Sequence, residues 1–335
     1  MLNLPPELQQ AISAQLKPYP SERWIRDAQA LSQRYRTARS ADERPLASTD
    51  REALGYAVLI LPSTYAQLAG AMDATAQRIP TFAPTTMLDL GSGPGTALWA
   101  ATQQWSSLRQ LRAWEREPTL IALGRRLAQS APHVAVQAAR WEQVDLQTRS
   151  GFSSERFDLV VLGHVLNELP PEAQAEVVNY AWRLTAGLLL IVEPGTSSAF
   201  AVARAARDQL LAVGANTIAP CPHNQPCPLV NDWCHFPQRL LRPPFQKQAR
   251  SAPSIWEDAK YAYAAMARFP VEQPIWGRLI REPLIAKGFT SLPLCTNEGI
   301  NAVRVQKRER NAYRVASDLS WGSAFDQPLA TTDDA

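Results

Sequence analysis

The sequence predicts an α/β protein: a mainly parallel, doubly wound sheet behind an N-terminal helical cap, with a cysteine-rich insertion and a closing antiparallel hairpin. Three observations carry this. Apolar residues recur at helical spacing through residues 1–80, short apolar runs alternate with helical segments through 81–195, and two strand-like runs flank a turn near the C-terminus. Strands alternating with helices form a parallel sheet covered on both faces. Of the 335 residues 46% are hydrophobic and 19% charged, which excludes a mainly disordered chain. The charge balance, 34 − 31 = +3, is compatible with nucleic acid but not diagnostic of it.

The cap opens with Glu7–Leu16, where Leu8, Ile12 and Leu16 repeat every fourth residue. Glu22–Arg39 follows with Trp24, Ala28, Leu31 and Tyr35 on one face, and Arg51–Arg78 continues helical with a break at Pro62. Strands are expected at Thr86–Leu90, Leu108–Trp114, His133–Gln137, Phe157–Gly163 and Gly187–Val192. The fourth is a continuous apolar run of the type buried on both faces. Pro171 suits the first turn of a helix over Glu172–Leu184. Residues 196–286 break this rhythm, and proline concentrates there. Gly288–Cys295 and Ile300–Arg308 then read as a hairpin that finishes the sheet, so that 287–335 forms the closing hairpin and a basic tail. No stretch approaches the ~20 apolar residues of a membrane span. The first residues resemble neither a signal peptide nor a transit peptide. A cytoplasmic chain without membrane contact, monomeric when free, is expected.

Gly91-Ser92-Gly93-Pro94-Gly95 ends the first strand and opens a helix. Glycines there allow a tight turn and let a ligand approach the main chain at a helix N-terminus. Asp89 adds an acid near the strand end, and Glu115 ends the second strand, where a carboxylate can take both ribose hydroxyls of a nucleoside. These residues resemble those of class I S-adenosylmethionine-dependent methyltransferases, which have a Rossmann-like sheet with an antiparallel last strand. The resemblance implies Gly91, Gly93 and Gly95 around the methionine part and Glu115 on the ribose. It places the stretch after the third strand, with Trp141, near the adenine. His164 and Glu168 follow the fourth strand on the edge that faces the transferred methyl group in such folds. His164 is a candidate base, or a loop residue that packs against the cofactor.

The four cysteines are Cys221, Cys227, Cys234 and Cys295, and the first 220 residues contain none. Three thiols in a proline-stiffened loop, with a fourth from a distant strand end, suit a closed four-thiolate site. Zinc sites usually have tight C-x2-C knuckles, which are absent; iron–sulfur clusters tolerate wider gaps. Both remain open on spacing alone. Cys295 ends a strand expected to run parallel with the first five, which would put this site on the carboxyl edge of the sheet.

Cys-Pro-His-x3-Cys-Pro-Leu followed by Asp-Trp-Cys-His-Phe and a later Leu-Cys-Thr resembles the methyltransferase-like family of the mitochondrial ribosomal small subunit and its bacterial relatives. Leu31–Arg36 and the stretch from Tyr313 to Gly322 agree with it. The resemblance implies a 4Fe–4S cluster on Cys221, Cys227, Cys234 and Cys295, and association with the small ribosomal subunit or its rRNA. The missing transit peptide favours a bacterial, cytoplasmic member. His223, His235, Arg239, Arg242, Arg304, Lys307 and Arg308 are the candidate RNA contacts, since basic runs neutralise phosphates. The resulting expectation is an S-adenosylmethionine-dependent rRNA methyltransferase or small-subunit assembly factor. Its rivals are a non-catalytic ribosome-binding assembly factor and a small-molecule methyltransferase with structural zinc.

Overall fold

The structure, a computed structural model, describes residues 1–37, 47–148 and 155–328. Four helices form the cap: α1 (Pro6–Leu16), α2 (Ser21–Thr37), α3 (Asp50–Leu59) and α4 (Leu61–Ala76). The side chain of Tyr35 and the expected end of its helix at Arg39 lie outside the described residues. Thr49 and Glu52 start α3 with a capping box, each side chain taking the other's backbone N–H, at 3.3 and 3.1 Å. Pro62 sits in the first turn of α4, where its missing N–H has no partner to lose. Residues 53–59 of α3 are buried on every side. A helix buried all round lies inside the protein, not on its surface.

The chain then alternates. β1 (Thr86–Leu90), α5 (Thr96–Gln104), β2 (Gln110–Glu115) and α6 (Pro118–Ala128) lead to a short helix α7 (Val134–Gln137) and to β3 (Arg140–Gln143). β4 (Phe157–Gly163), α8 (Pro171–Leu184), β5 (Thr185–Pro194) and α9 (Ser197–Ala212) follow, then β6 (Asn216–Ala219), β7 (Phe236–Leu241), α10 (Pro244–Arg250) and β8 (Trp256–Ala267). The first sheet has the order β3-β2-β1-β4-β5-β8-β6, with β7 also on β8. β1 to β5 are parallel, and β8 is antiparallel to β5. The α/β class with a mainly parallel central sheet is therefore present.

Three expectations need correction. The third strand is Arg140–Gln143 and not His133–Gln137. His133 caps a helical turn there, its Nδ1 accepting the Ala135 N–H at 3.3 Å, and buried Ala135 and Val136 are neighbours without strand alternation. The hairpin does not close the central sheet. β9 (Gly277–Leu279), β10 (Leu284–Ile285), β11 (Phe289–Thr296), β12 (Gly299–Gln306), α11 (Arg310–Asp318) and β13 (Ala324–Phe325) end the described chain, and their strands form a second, antiparallel sheet. This sheet has its own small core of Leu279, Leu292, Leu294, Val305, Ala316 and Phe325. The central sheet is completed instead by β6, β7 and β8, from the stretch expected to be an insertion. Tyr263-Ala264-Ala265-Met266-Ala267 carries little β-propensity, and its burial against β5 overrides that.

Candidate functional site

The glycine turn behaves as its composition requires. Gly91, Gly93 and Gly95 all have left-handed backbones, with φ of 69°, 53° and 81°. The N–H groups of Gly91 and Ser92 both donate to the Trp114 carbonyl at 2.8 and 2.9 Å, which pins the turn to β2. The Gly93 N–H donates to Glu115 Oε2 at 2.8 Å, and the Glu117 N–H to Glu115 Oε1 at 2.9 Å. Glu115 therefore bridges the turn and the chain after β2. A carboxylate has about four acceptor sites, so capacity remains for ligand hydroxyls. Burial pushes the Glu115 carboxyl up, and the two backbone donors oppose that.

A cleft of about 720 Å³, its open mouth included, lies over this turn. That is within the ~300–1,000 Å³ usual for small-molecule sites. Gly91, Gly93, Glu115, His164 and Glu168 line it. Sequence reasoning missed Tyr56, which α3 inserts into the cleft, and the stretch Val144–Gln147. A tyrosine in a helix apolar on every face was the available signal for the first. The second lies just after β3, and the expectation of that strand at 133–137 hid it. Trp141 is not among the lining residues. Its ring packs inward: a Cβ on Gly95 would stand 2.6 Å from Cη2, and one on Gly124 2.3 Å. Asp89 lies beneath the turn, buried, with Oδ2 unpartnered.

His164 is buried with a left-handed φ of 62°, its N–H donates to the Val192 carbonyl at 2.7 Å, and its Nε2 has no partner. Burial lowers its pKa to about 4, so the ring is neutral near pH 7. Glu193, fully buried, accepts the Leu166 N–H at 2.9 Å and holds the loop that carries Glu168. Burial pushes the Glu193 carboxyl well up, and the negative charge of Glu168 adds to this.

The Asp89 carboxyl is pushed up to about 8 by burial, with the charge of Glu115 adding. Its folded-state value exceeds its ordinary 3.8. Its contribution to stability is thus full below that ordinary value and is lost as pH rises through about 8. Asp89→Asn cannot ionise, and is expected to flatten this part of the decline in unfolding free energy between about pH 4 and 8. Urea titrations across that range measure it; an unchanged slope would mean that Asp89 ionises freely in the fold.

The four cysteines, all free, line a second cavity together with Arg207, Tyr263 and Ile280. Burial pushes Cys295 up to about 12, and Cys221 and Cys227 add to it, while Arg207 and Arg278 pull it down. Cys234 is raised well above the usual thiol range by burial, and then by the other three cysteines. Among the described residues no three His, Cys, Asp or Glu side chains are grouped to hold a single metal ion. All four thiols belong to residues that line this one cavity. Cys221 follows β6, which runs antiparallel to β8 and hence in the direction of β5. This loop leaves the carboxyl edge of the sheet, as the glycine turn does. Cys295 does not lie on a strand parallel to the first five; it lies on β11, opposite Arg278 and Ile300 in the second sheet.

The expected RNA contacts divide. His235 is buried, stacked on Trp233 and edge-on to Trp321. His223 Nε2 lies 3.8 Å from Cys295 Sγ. Arg239 pairs with Asp258 at 2.7 Å and Arg242 with Glu257 at 3.3 Å. Arg304, Lys307 and Arg308 are exposed, Arg304 with its guanidinium 3.5 Å from the centre of the Phe289 ring.

Comparison with known proteins adds the following. Human "Ribosome assembly protein METTL17, mitochondrial" is 30% identical over 298 residues, covering 83% of this chain and 63% of its own length. A Schizosaccharomyces pombe "Rsm22-cox11 tandem protein 2, mitochondrial" is 23% identical, covering 85% of this chain and 44% of its own. The chain thus spans about half to two thirds of the curated relatives it matches. Among solved structures, magnesium protoporphyrin IX methyltransferase from Synechocystis with bound SAM has a TM-score of 0.41 and 11% identity, over 72% of this chain and 97% of that one. An O-methyltransferase family protein from Burkholderia thailandensis has a TM-score of 0.39 and 18% identity, over 50% and 55%. The expectation of a bacterial cytoplasmic protein is overturned, because these curated relatives are mitochondrial. The family described as "Mitochondrial small ribosomal subunit Rsm22" matches residues 50–326, and the chain belongs to it.

Proposed function

We propose that this protein is an assembly factor of the small ribosomal subunit that takes S-adenosylmethionine in the glycine cleft and holds a 4Fe–4S cluster on Cys221, Cys227, Cys234 and Cys295. The observation that carries the reading is that the cleft and the thiol loop leave the same edge of one sheet, within the segment matched by the family. The cleft suits the cofactor: a left-handed backbone without a side chain at Gly93, facing Tyr56, a helix N-terminus at Thr96 and orphaned buried atoms at Thr96, Asp89 and His164. The main chain of Gly91, Gly93 and Gly95 would hold the methionine part, Glu115 the ribose and Val144–Gln147 the adenine. When bound, the cofactor supplies a methyl group on a sulfonium. The thiol site suits a cluster: four free thiols belong to residues lining one cavity beside a buried guanidinium with an unpartnered N–H.

A non-catalytic assembly factor is the second reading, and His164 favours it. A ring held at about 4 is a weak proton acceptor at neutral pH, far from the value that suits a general base. His164 and Glu168 then shape the cleft floor, and the cofactor stabilises the fold.

The experiment is binding to purified small subunits and to their rRNA across a salt series. Arg304, Lys307 and Arg308 are the exposed candidates for phosphate contact. The compound variant Arg304→Ala, Lys307→Ala, Arg308→Ala is expected to bind less tightly and to lower the slope of log affinity against log salt by about 2. Calorimetry should give unchanged S-adenosylmethionine affinity. Wild-type binding and slope in the variant would reduce the basic stretch 304–308 to a solvated face.

A further inference from the structure

The thiol cavity holds a cation for which the folded chain has no complete use. α9 turns one stripe toward it: Phe200, Ala203, Arg204 and Arg207 line the cavity at the i, i+3, i+4, i+7 spacing of a single helix face. Arg207 is 3% exposed. Its Nη2 donates to the carbonyls of His223 and Gln225 at 2.9 and 2.8 Å, both inside the loop between Cys221 and Cys227. Its Nη1 donates to Asp208 Oδ1 at 2.9 Å. The Asp208 side chain is 47% exposed, so water screens that pairing. The Arg207 Nε–H is buried and has no acceptor. Buried donors nearly always find a partner, and an orphan in a well-packed wall marks a missing acceptor.

We propose that Arg207 is the positioning residue of the four-thiol site. Two of its N–H groups fix the loop between the first two cysteines, and its Nε–H and charge face the sulfur-bound group. This rests on the cluster reading above. Four thiolates round a cubane carry net negative charge, and hydrogen bonds and charge near the sulfurs set the potential of such a group. Arg278 supports the same loop from the second sheet: its Nε donates to the Pro220 carbonyl at 2.6 Å, one residue before Cys221. It has no orphaned atom, so Arg207 is the distinctive one.

The test uses full-length protein purified anaerobically with its cluster. Removing the charge in Arg207→Gln should shift the reduced-to-oxidised ratio at fixed potential about tenfold toward oxidised, ~59 mV downward for one electron. Arg207→Lys keeps the charge and should restore most of that shift, while losing iron faster to a chelator because the fork on the two carbonyls is gone. Potentials equal to the wild type in both variants overturn the proposal. If Arg207→Gln does not retain the cluster, the wild type decides: pulsed electron paramagnetic resonance on reduced protein containing isotopically labelled arginine should detect a nitrogen coupling that Arg207→Lys lacks. No coupling overturns it. Zinc without sulfide in wild-type protein is a different failure, visible by elemental analysis, and removes the cluster reading and this proposal together.

Discussion

Gly95→Ala is expected to destabilise the fold by about 2–5 kcal/mol and to abolish measurable S-adenosylmethionine binding. Two costs add. At φ of 81° an L-residue is strained, by about 1–2 kcal/mol. The new Cβ would also stand 2.6 Å from Cη2 and 3.2 Å from Cζ2 of Trp141. That ring cannot withdraw, because Gly124 already lets it in with no room to spare. Gly214→Ala is the control: it has a similar φ of 84° but nothing within 4 Å of its Cβ. Its cost should be the backbone part alone. The difference in urea midpoint between the two, at equal slope, isolates the ring contact. Equal costs would mean that Trp141 yields and that the floor of the turn is soft.

If the four thiols hold the proposed cluster, Cys295→Ser should release its iron and sulfide and loosen the second sheet. Cys295 is the thiol from outside the loop, and it packs with Leu229 and Ile280 where that sheet meets the loop. Arg281 adds a donated bond to the Trp233 carbonyl at 2.9 Å. Arg278 donates to the Pro220 carbonyl and Arg281 pairs with Asp232, and a metal bond to Cys295 would add to these ties, since binding to a native-only site adds directly to stability. Hydrogen exchange should therefore accelerate through residues 276–325 in Cys295→Ser and after chelation of the wild type, with β1 to β5 unchanged. Iron retained at wild-type level in the serine variant would remove Cys295 from the ligand set.

What was legible in the sequence is what local chemistry writes. The glycine turn is legible because three glycines in five residues after an apolar strand leave few alternatives, and the cysteines because none occurs elsewhere in the chain. Tyr56 and Arg207 were illegible, because each is an ordinary helical residue until the fold brings it to a cavity. His133–Gln137 was misread because a single helical turn and a short strand both show apolar residues close together. β8 was missed because alanine says little about strand until β5 is placed beside it. Trp141 was assigned to the adenine by its position after the misplaced strand, whereas its ring fills the space that Gly95 and Gly124 leave.

β8 also pairs with β5 from far along the chain, which matters while the protein is being made. The apolar residues Leu188–Val192 of β5 are fully buried, yet the strand that covers their outer edge is not synthesised until residues 256–267. A nascent chain that has completed β1 to β5 therefore exposes an unpaired apolar edge while the thiol loop and α10 are still being added. Such an edge pairs readily with another chain. A chain interrupted between residues 195 and 255 is therefore expected to aggregate or to be held by chaperones more readily than one that has completed β8.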